Sequence, residues 1–416
     1  MRFIADFHLH SKFSRATSKD MEVESLARWA KKKGIALLGT GDFTHPTYLT
    51  ELRSKLEPLG DGLLRLKRGD QEVRFILTTE LNNIYTQGGK VRRIHNLIFA
   101  PSLEAVQAIS SKLGNIGKLS SDGRPIFSFS AKDLAKMILD ISPDCMIVPA
   151  HAWTPWFSVF GANSGFDSIE ECFGEMSPFI CAIETGLSSD PEMNWRLSAL
   201  DRITLISNSD AHSPSRLGRE ANAFQGPLNY KEMMETLRTK DRKRFLFTIE
   251  FFPQEGKYHY DGHRDCGVVF SPSQTKTHRY LCPKCHKKLT VGVMHRVEEL
   301  ADRPEGFIPK SAIPSIHLIP LEEILAEALG FKVGTKAVEM EYERLVERGG
   351  SEFQILLDAT PEELATFVPP RVLEAIIRMR QGKVSIIPGH DGLYGKVSLF
   401  SKEEEDEKPK EQLKLF

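Results

Sequence analysis

Up to about Asp210 the chain repeats one hydrophobic pattern. Short apolar or β-branched runs, RFIADF, GIALLGT, VRFILTTE, HNLIFA, CMIVPA, ICAIET and RITLISNSD, are separated by amphipathic stretches such as MEVESLARWAKKKG and SAKDLAKMILDIS. This alternation predicts parallel α/β architecture. Seven runs come close to a (β/α) barrel over residues 1–250. Past Phe252 helical periodicity stops, which predicts a small irregular module at 251–297. From about Glu298 amphipathic helices return (LEEILAEALG, GTKAVEMEYERLVERGG, TPEELATF, PPRVLEAIIRMRQGK), predicting a helical domain over 298–398. Thr360 followed by Pro361 is an N-cap with proline at the first helical position. Residues 399–416 contain SKEEEDEKPKE and predict a disordered, solvated tail.

What closes each strand carries the chemistry. The first run ends in His8-Leu9-His10, the second reaches Asp42 with His45 beyond, and the third ends at Glu80. The fourth carries His95 at its start, the fifth ends at His151, the sixth at Glu184 and the seventh at Asp210-Ala211-His212. In parallel barrels the active site gathers at the carboxyl ends of the strands. His-x-His on a strand also turns both rings to one face. A mixed imidazole and carboxylate set suits Zn, Mn, Fe or Mg, and more ligands than one ion needs imply two or three ions. Several divalent cations held together are suited to phosphoester hydrolysis. Glu184 is read as a ligand or a general base, and Lys12 or Arg15 as the cation that neutralises developing charge. Trp153, Trp156, Phe157 and Phe160 follow His151 closely. Aromatics there could stack on or wedge an unpaired base.

Composition narrows the class. The chain has 416 residues, 41% apolar and 27% charged, the balance of a soluble globular protein. No apolar run approaches the ~18–20 residues of a membrane span, and MRFIADFHLH enters a strand with no small-residue cleavage site. A cytoplasmic, nucleoid-associated protein is expected. With a net charge of −1, nucleic-acid binding requires a local patch. Lys257–Arg296 supplies one, with eight Lys or Arg against two acidic residues. The same stretch spaces His263 and Cys266 from Cys282 and Cys285 as a tetrahedral structural zinc site does, with His259 or His286 as alternatives to His263. Arg371, Arg378, Arg380 and Lys383 give the last long helix a basic side.

The ordered set DFHLH, GTGDFTH, the Glu80 strand, HNLIF, PAH and NSDAH resembles the PHP superfamily of polymerase-associated and histidinol-phosphate phosphatases. That resemblance implies a distorted seven-stranded barrel with a trinuclear metal site. Its ligands would be His8, His10, Asp42, His45, Glu80, His95, His151, Asp210 and His212, with Asp20 the nearest match to a further ligand. Asp210 and His212 would also be catalytic. Two readings compete, a small-molecule phosphatase of the histidinol-phosphate kind and a nuclease. Longer matches (HAWTPWFS, ETGLSSDPEMNWRLSALDR, EGKYHYDGHRDC, PPRVLEAIIRMRQGK, PGHDGLYGK) resemble the endonuclease Q family. This implies a PHP barrel, a zinc domain and a C-terminal helical domain. It also implies incision 5′ to deaminated bases (uracil, hypoxanthine, xanthine) and abasic sites, leaving 3′-hydroxyl and 5′-phosphate ends. The last five residues, Gln412-Leu413-Lys414-Leu415-Phe416, are similar to the pentapeptide that docks bacterial proteins on the sliding clamp, with Gln412, Leu413, Leu415 and Phe416 as contacts. They point to a clamp partner and a bacterial source.

Overall fold

The computed structural model describes residues 2–401 and residue 404. All seven expected strands form: β1 (Arg2–Asp6), β2 (Ile35–Gly39), β3 (Arg74–Gln87), β4 (Lys90–Ala100), β5 (Met146–Pro149), β6 (Ala182–Glu184) and β7 (Thr204–Ile206). Their pairing is mixed, which corrects the expected parallel alternation. β1, β2 and β3 are parallel, but β3 and β4 form one long antiparallel hairpin, and β5 pairs antiparallel with β4. β6 and β7 form a separate parallel pair. No helix separates β3 from β4, because TQGGK closes the turn between them directly.

Among the further strands of the sheet are β8 (Ala221–Gln225) antiparallel to β1, β9 (Phe245–Glu250) antiparallel to β8, and β10 (Ser315–His317) parallel to β9. β10 comes from the segment expected to be wholly helical, so that segment lends a strand to the first body. Hydrogen bonds from Phe7 N to Asn208 Oδ1 and from Ser207 N to Asn222 Oδ1, both 2.9 Å, link β1, β7 and β8 around the inside of the sheet.

The helix Val23–Lys33 covers the outer face, and the C-terminal helices Leu321–Leu329, Lys336–Gly349 and Pro370–Arg380 pack beside it. Lys33 Nζ lies 2.6 Å from Glu352 Oε2 in a buried pair. Glu352 also accepts from Leu321 N and Tyr342 Oη, so one carboxylate ties the N-terminal helix to the C-terminal bundle. The expected basic side of Pro370–Arg380 is spent internally. Arg380 donates to the carbonyls of Ile355, Leu356 and Ala359, and Arg378 pairs with Glu374 and Glu404. The tail does not begin at 399 as expected, since Leu399 and Phe400 are buried and their N–H groups donate to Glu327. The clamp-like residues 412–416 lie outside the described residues.

Candidate active site and metal centres

Two groups of ligand-type side chains meet at one rim: His8, His10 and Asp210, and Glu80, His95 and His151. Within each group the donor atoms lie within 4.8 Å of one another. Glu80 joins the two. Its Oε1 is 2.6 Å from His95 Nδ1 and 3.1 Å from His151 Nε2, and each of its oxygens is 3.7 Å from an Nε2 of the first pair, His8 or His10. Asp210 Oδ1 is 3.0 Å from His10 Nε2 and 3.9 Å from His8 Nε2. His95 reaches this rim although its strand runs the other way, because Asn82 pairs with His95 and Glu80 with Leu97. The side-chain period of two then puts Glu80 and His95 on one face, diagonally opposed.

The donor set fits hard or borderline divalent cations. Buried His8 Nε2, Glu80 Oε2 and His95 Nε2 have no hydrogen-bond partner, and buried polar atoms are rarely left so without reason. Burial opposes charge on His8, yet Glu184, Asp210 and Glu80 outweigh it and hold the ring up at about 10. His10, buried between Asp210 and Asp42, is held up at about 9. Against the same burial penalty, imidazoles hold Glu80 and Asp210 below the ordinary carboxylate range. The strand-end turns are strained to deliver these groups: Asp42, His151 and Asp210 have φ of 43°, 31° and 47°.

Other expected ligands stand one layer back. Glu184 is fully buried; its two oxygens lie 3.0 Å from His8 Nδ1 and accept from Asn208 Nδ2 and His151 N. It therefore orients His8. Asp42 does the same for His10, with Oδ1 3.1 Å from His10 Nδ1, while its Oδ2 accepts from Ser11 N, Ser11 Oγ and Ser14 Oγ. His45 is the N-cap of helix Pro46–Lys55 and its ring stacks on Phe13. His212 packs against His10 with ring centroids 4.7 Å apart and planes tilted by 58°, and its Nδ1 lies 2.8 Å from Asp210 O. Asp20 sits in a surface turn, bonded by Ser18 Oγ.

The expected cations are also elsewhere. Lys12 pairs with Glu51 and Glu22, and Arg15 is exposed beside Asp122. Arg124, which sequence reasoning missed, lines the cleft instead. Of the expected aromatics, Trp153 and Phe160 are core residues packed on each other at 4.8 Å. Trp156 and Phe157 do face the cleft.

That cleft has a volume of about 540 Å³ and runs from His95, His151 and Asp210 to Lys257, Tyr258 and Tyr394. Its far wall is the segment that continues into the Cys/His module. There His263, Cys266, Cys282 and Cys285 converge within 4.8 Å, on the hairpin Asp261–His263/Val268–Phe270 and the turn at Cys282–Cys285. His286 and His259 lie outside this group. Only a miniature core of Val268, Cys282 and Leu289 supports the module, as in units that need a metal to fold. A fourth convergence, Asp190, Glu192 and His317, is accounted for by a helix cap, a Ser315 bond and an ion pair.

Residues 320–383 match the family model described as the MJ0043 C-terminal domain. The uncharacterized protein MJ0043 of Methanocaldococcus jannaschii is 35% identical over 258 residues, 60% of this chain but 31% of that protein, so the chain spans about a third of its length. The crystal structure of the lesion-specific endonuclease PfuEndoQ from Pyrococcus furiosus superposes with a TM-score of 0.85 at 33% identity, covering 95% of both chains. The chain belongs to the endonuclease Q family. A second endonuclease Q structure, in complex with a 27-mer duplex carrying an abasic lesion at the active site, has a TM-score of 0.84 at 33% identity, covering 97% of this chain and 98% of that one. A bacterial source is not supported: MJ0043 and PfuEndoQ, at 35% and 33% identity, both come from archaea. Among the described residues no helix is long and apolar enough to cross a membrane.

Proposed function

We propose that this endonuclease Q family member is a metal-dependent DNA-repair endonuclease. It would incise the phosphodiester 5′ to deaminated bases (uracil, hypoxanthine, xanthine) and abasic sites, leaving 3′-hydroxyl and 5′-phosphate ends. The observation that carries this reading is the cleft that opens from the His8/His10/Asp210 and Glu80/His95/His151 groups onto an aromatic wall. A small phosphate ester needs neither that wall nor the module behind it.

Two or three divalent cations bound at the rim would polarise the phosphate and ease deprotonation of an attacking water. His8 and His10 would present Nε2 to them, each ring being fixed through Nδ1 by a buried carboxylate, Glu184 or Asp42. Glu80 bridges the two groups and Asp210 completes the first. Arg124 meets the phosphate charge at the cleft wall. A base drawn out of the helix enters the cleft beside Trp156 and Phe157, a step cheaper for a mispaired base. His263, Cys266, Cys282 and Cys285 would hold one structural zinc, and the basic residues around them would contact backbone phosphates. In this reading residues 1–250 form a distorted seven-stranded PHP barrel, followed by the zinc module and the helical domain. Gln412, Leu413, Leu415 and Phe416 dock on a sliding clamp in the cytoplasm. End-labelled duplexes with a single lesion, offered with Mg, Mn or Zn, test the activity. Turnover of a small phosphate ester without incision would favour the phosphatase reading.

A further inference from the structure

Resting on that reading, we propose that Tyr394 inserts into the base stack of the bound duplex, filling the gap beside the nucleotide drawn into the cleft. Sequence reasoning placed the wedge in the loop after His151, but Trp153 and Phe160 are buried there. The aromatic that stands out of the cleft wall is Tyr394. At 76% it is the most exposed large apolar side chain among the described residues, and it lines the same cleft as His95, His151 and Asp210.

An exposed tyrosine on a loose loop would mean little. This one is rigidly mounted between the short strands Ser385–Ile387 and Lys396–Ser398. Gly389 N donates to Gln254 O, Gly392 N to Lys257 O, Gly395 N to Glu255 O, and Tyr260 N to Gly389 O, at 2.8–3.0 Å. Asp391 fastens the loop to the Cys/His module by accepting from Arg264 N and Thr290 Oγ1. At Gly395 an added Cβ would meet Gln254 O at 2.2 Å, and at Gly389 it would meet Gly256 O at 2.4 Å, so only glycine lets the loop sit this close. The fold therefore spends a dense set of hydrogen bonds on holding a ring out towards solvent. With Leu393 and Ile387 also exposed on the same hairpin, Tyr394 belongs to an apolar patch of the kind that marks an interaction site.

The surroundings identify the occupant as nucleic acid. The Lys257 ammonium lies 5.7 Å from the Tyr258 ring centroid and 5.8 Å from that of Tyr394, a cation between two aromatics. Trp156 meets Tyr258 edge-on at 6.0 Å. Leu393 and Ile387 are exposed beside Tyr394. Aromatic faces for bases with a cation for the phosphate are the elements of a stacking platform.

Tyr394→Ala, Tyr394→Phe and Tyr394→Trp would be compared with wild type on a uracil duplex carrying 2-aminopurine next to the lesion, and on the same uracil strand alone. Insertion predicts a rise in 2-aminopurine fluorescence on wild-type binding that Tyr394→Ala loses and the aromatic variants keep. It also predicts a Tyr394→Ala loss of incision at least ~10-fold larger on duplex than on single strand, since stacking on a base is a sizeable contribution. Equal losses on both substrates, or unchanged fluorescence with Tyr394→Ala, would overturn the insertion. A wild-type chain that incises neither substrate would instead overturn the endonuclease reading, leaving the fluorescence to decide Tyr394.

Discussion

At the scale of single residues, the rim separates groups that would face a cation from groups that orient them. Glu184→Gln keeps the size of the side chain and removes the charge beside His8 Nδ1. Losing such a partner weakens metal affinity by about 10–100-fold, so the metal concentration for half-maximal incision should rise by that much. His45→Ala should leave metal content unchanged and cost about 1 kcal/mol, the contribution of a helix cap, read by denaturant unfolding. The metal-free imidazoles of His8 and His10, held up at about 10 and 9, carry protons at neutral pH. A cation must displace them, so its affinity should rise with pH between 6 and 8 when titrated calorimetrically. At this scale much was legible. His8, His10, His151 and Asp210 stand out because strand ends collect them, and the Cys/His set by its spacing; Glu80 and His95 stand out as polar groups in apolar runs, although they lie inside the β3/β4 hairpin rather than at its strand ends. Asp42 and His45 read as ligands because sequence reports donor type but not which neighbour takes the lone pair. Arg124 and Tyr394 left no local signal, because only tertiary folding brings them to the cleft.

At the scale of elements, β9 and the C-terminal bundle make separate predictions. Burial pushes the Glu250 carboxyl up from 4.5 to about 8, and Glu220 is raised with it. The folded chain keeps that proton while the unfolded chain loses it, so stability falls as pH rises from 4.5 towards 8 and then levels. Glu250→Gln should flatten that decline when unfolding free energy is compared at pH 5 and pH 8. Glu352→Ala strands buried Lys33 and should cost about 3–5 kcal/mol, seen in the unfolding midpoint. The strands were legible as elements, through their apolar runs. Their directions were less so: the antiparallel course of β3 and β4 rests on the Gly88-Gly89 turn rather than on the apolar runs, and pairing of β10 with β9 is a long-range property that an apolar run does not encode. Likewise the basic stripe of the last long helix was visible, but not that Arg378 and Arg380 would be consumed by Glu374, Glu404 and backbone carbonyls.

At the scale of the whole molecule, the cleft lies where the sheet rim, the segment Lys257–His259 and the loop around Tyr394 meet. Three stretches far apart in sequence thus line one cleft, a convergence that no single segment of the sequence displays. Deleting residues 412–416 should abolish clamp binding in a pull-down yet leave incision of short oligonucleotides within twofold or so. The most direct test of the central claim is an incision assay. The wild-type chain and Asp210→Asn, matched for fold by circular dichroism, would be given an end-labelled duplex with one uracil, hypoxanthine or abasic site in the presence of Mg or Mn. The expected product is a single nick 5′ to the lesion, absent from the undamaged duplex, from the chelated reaction and from the variant. Incision that ignores the lesion, or none with any metal, would contradict it.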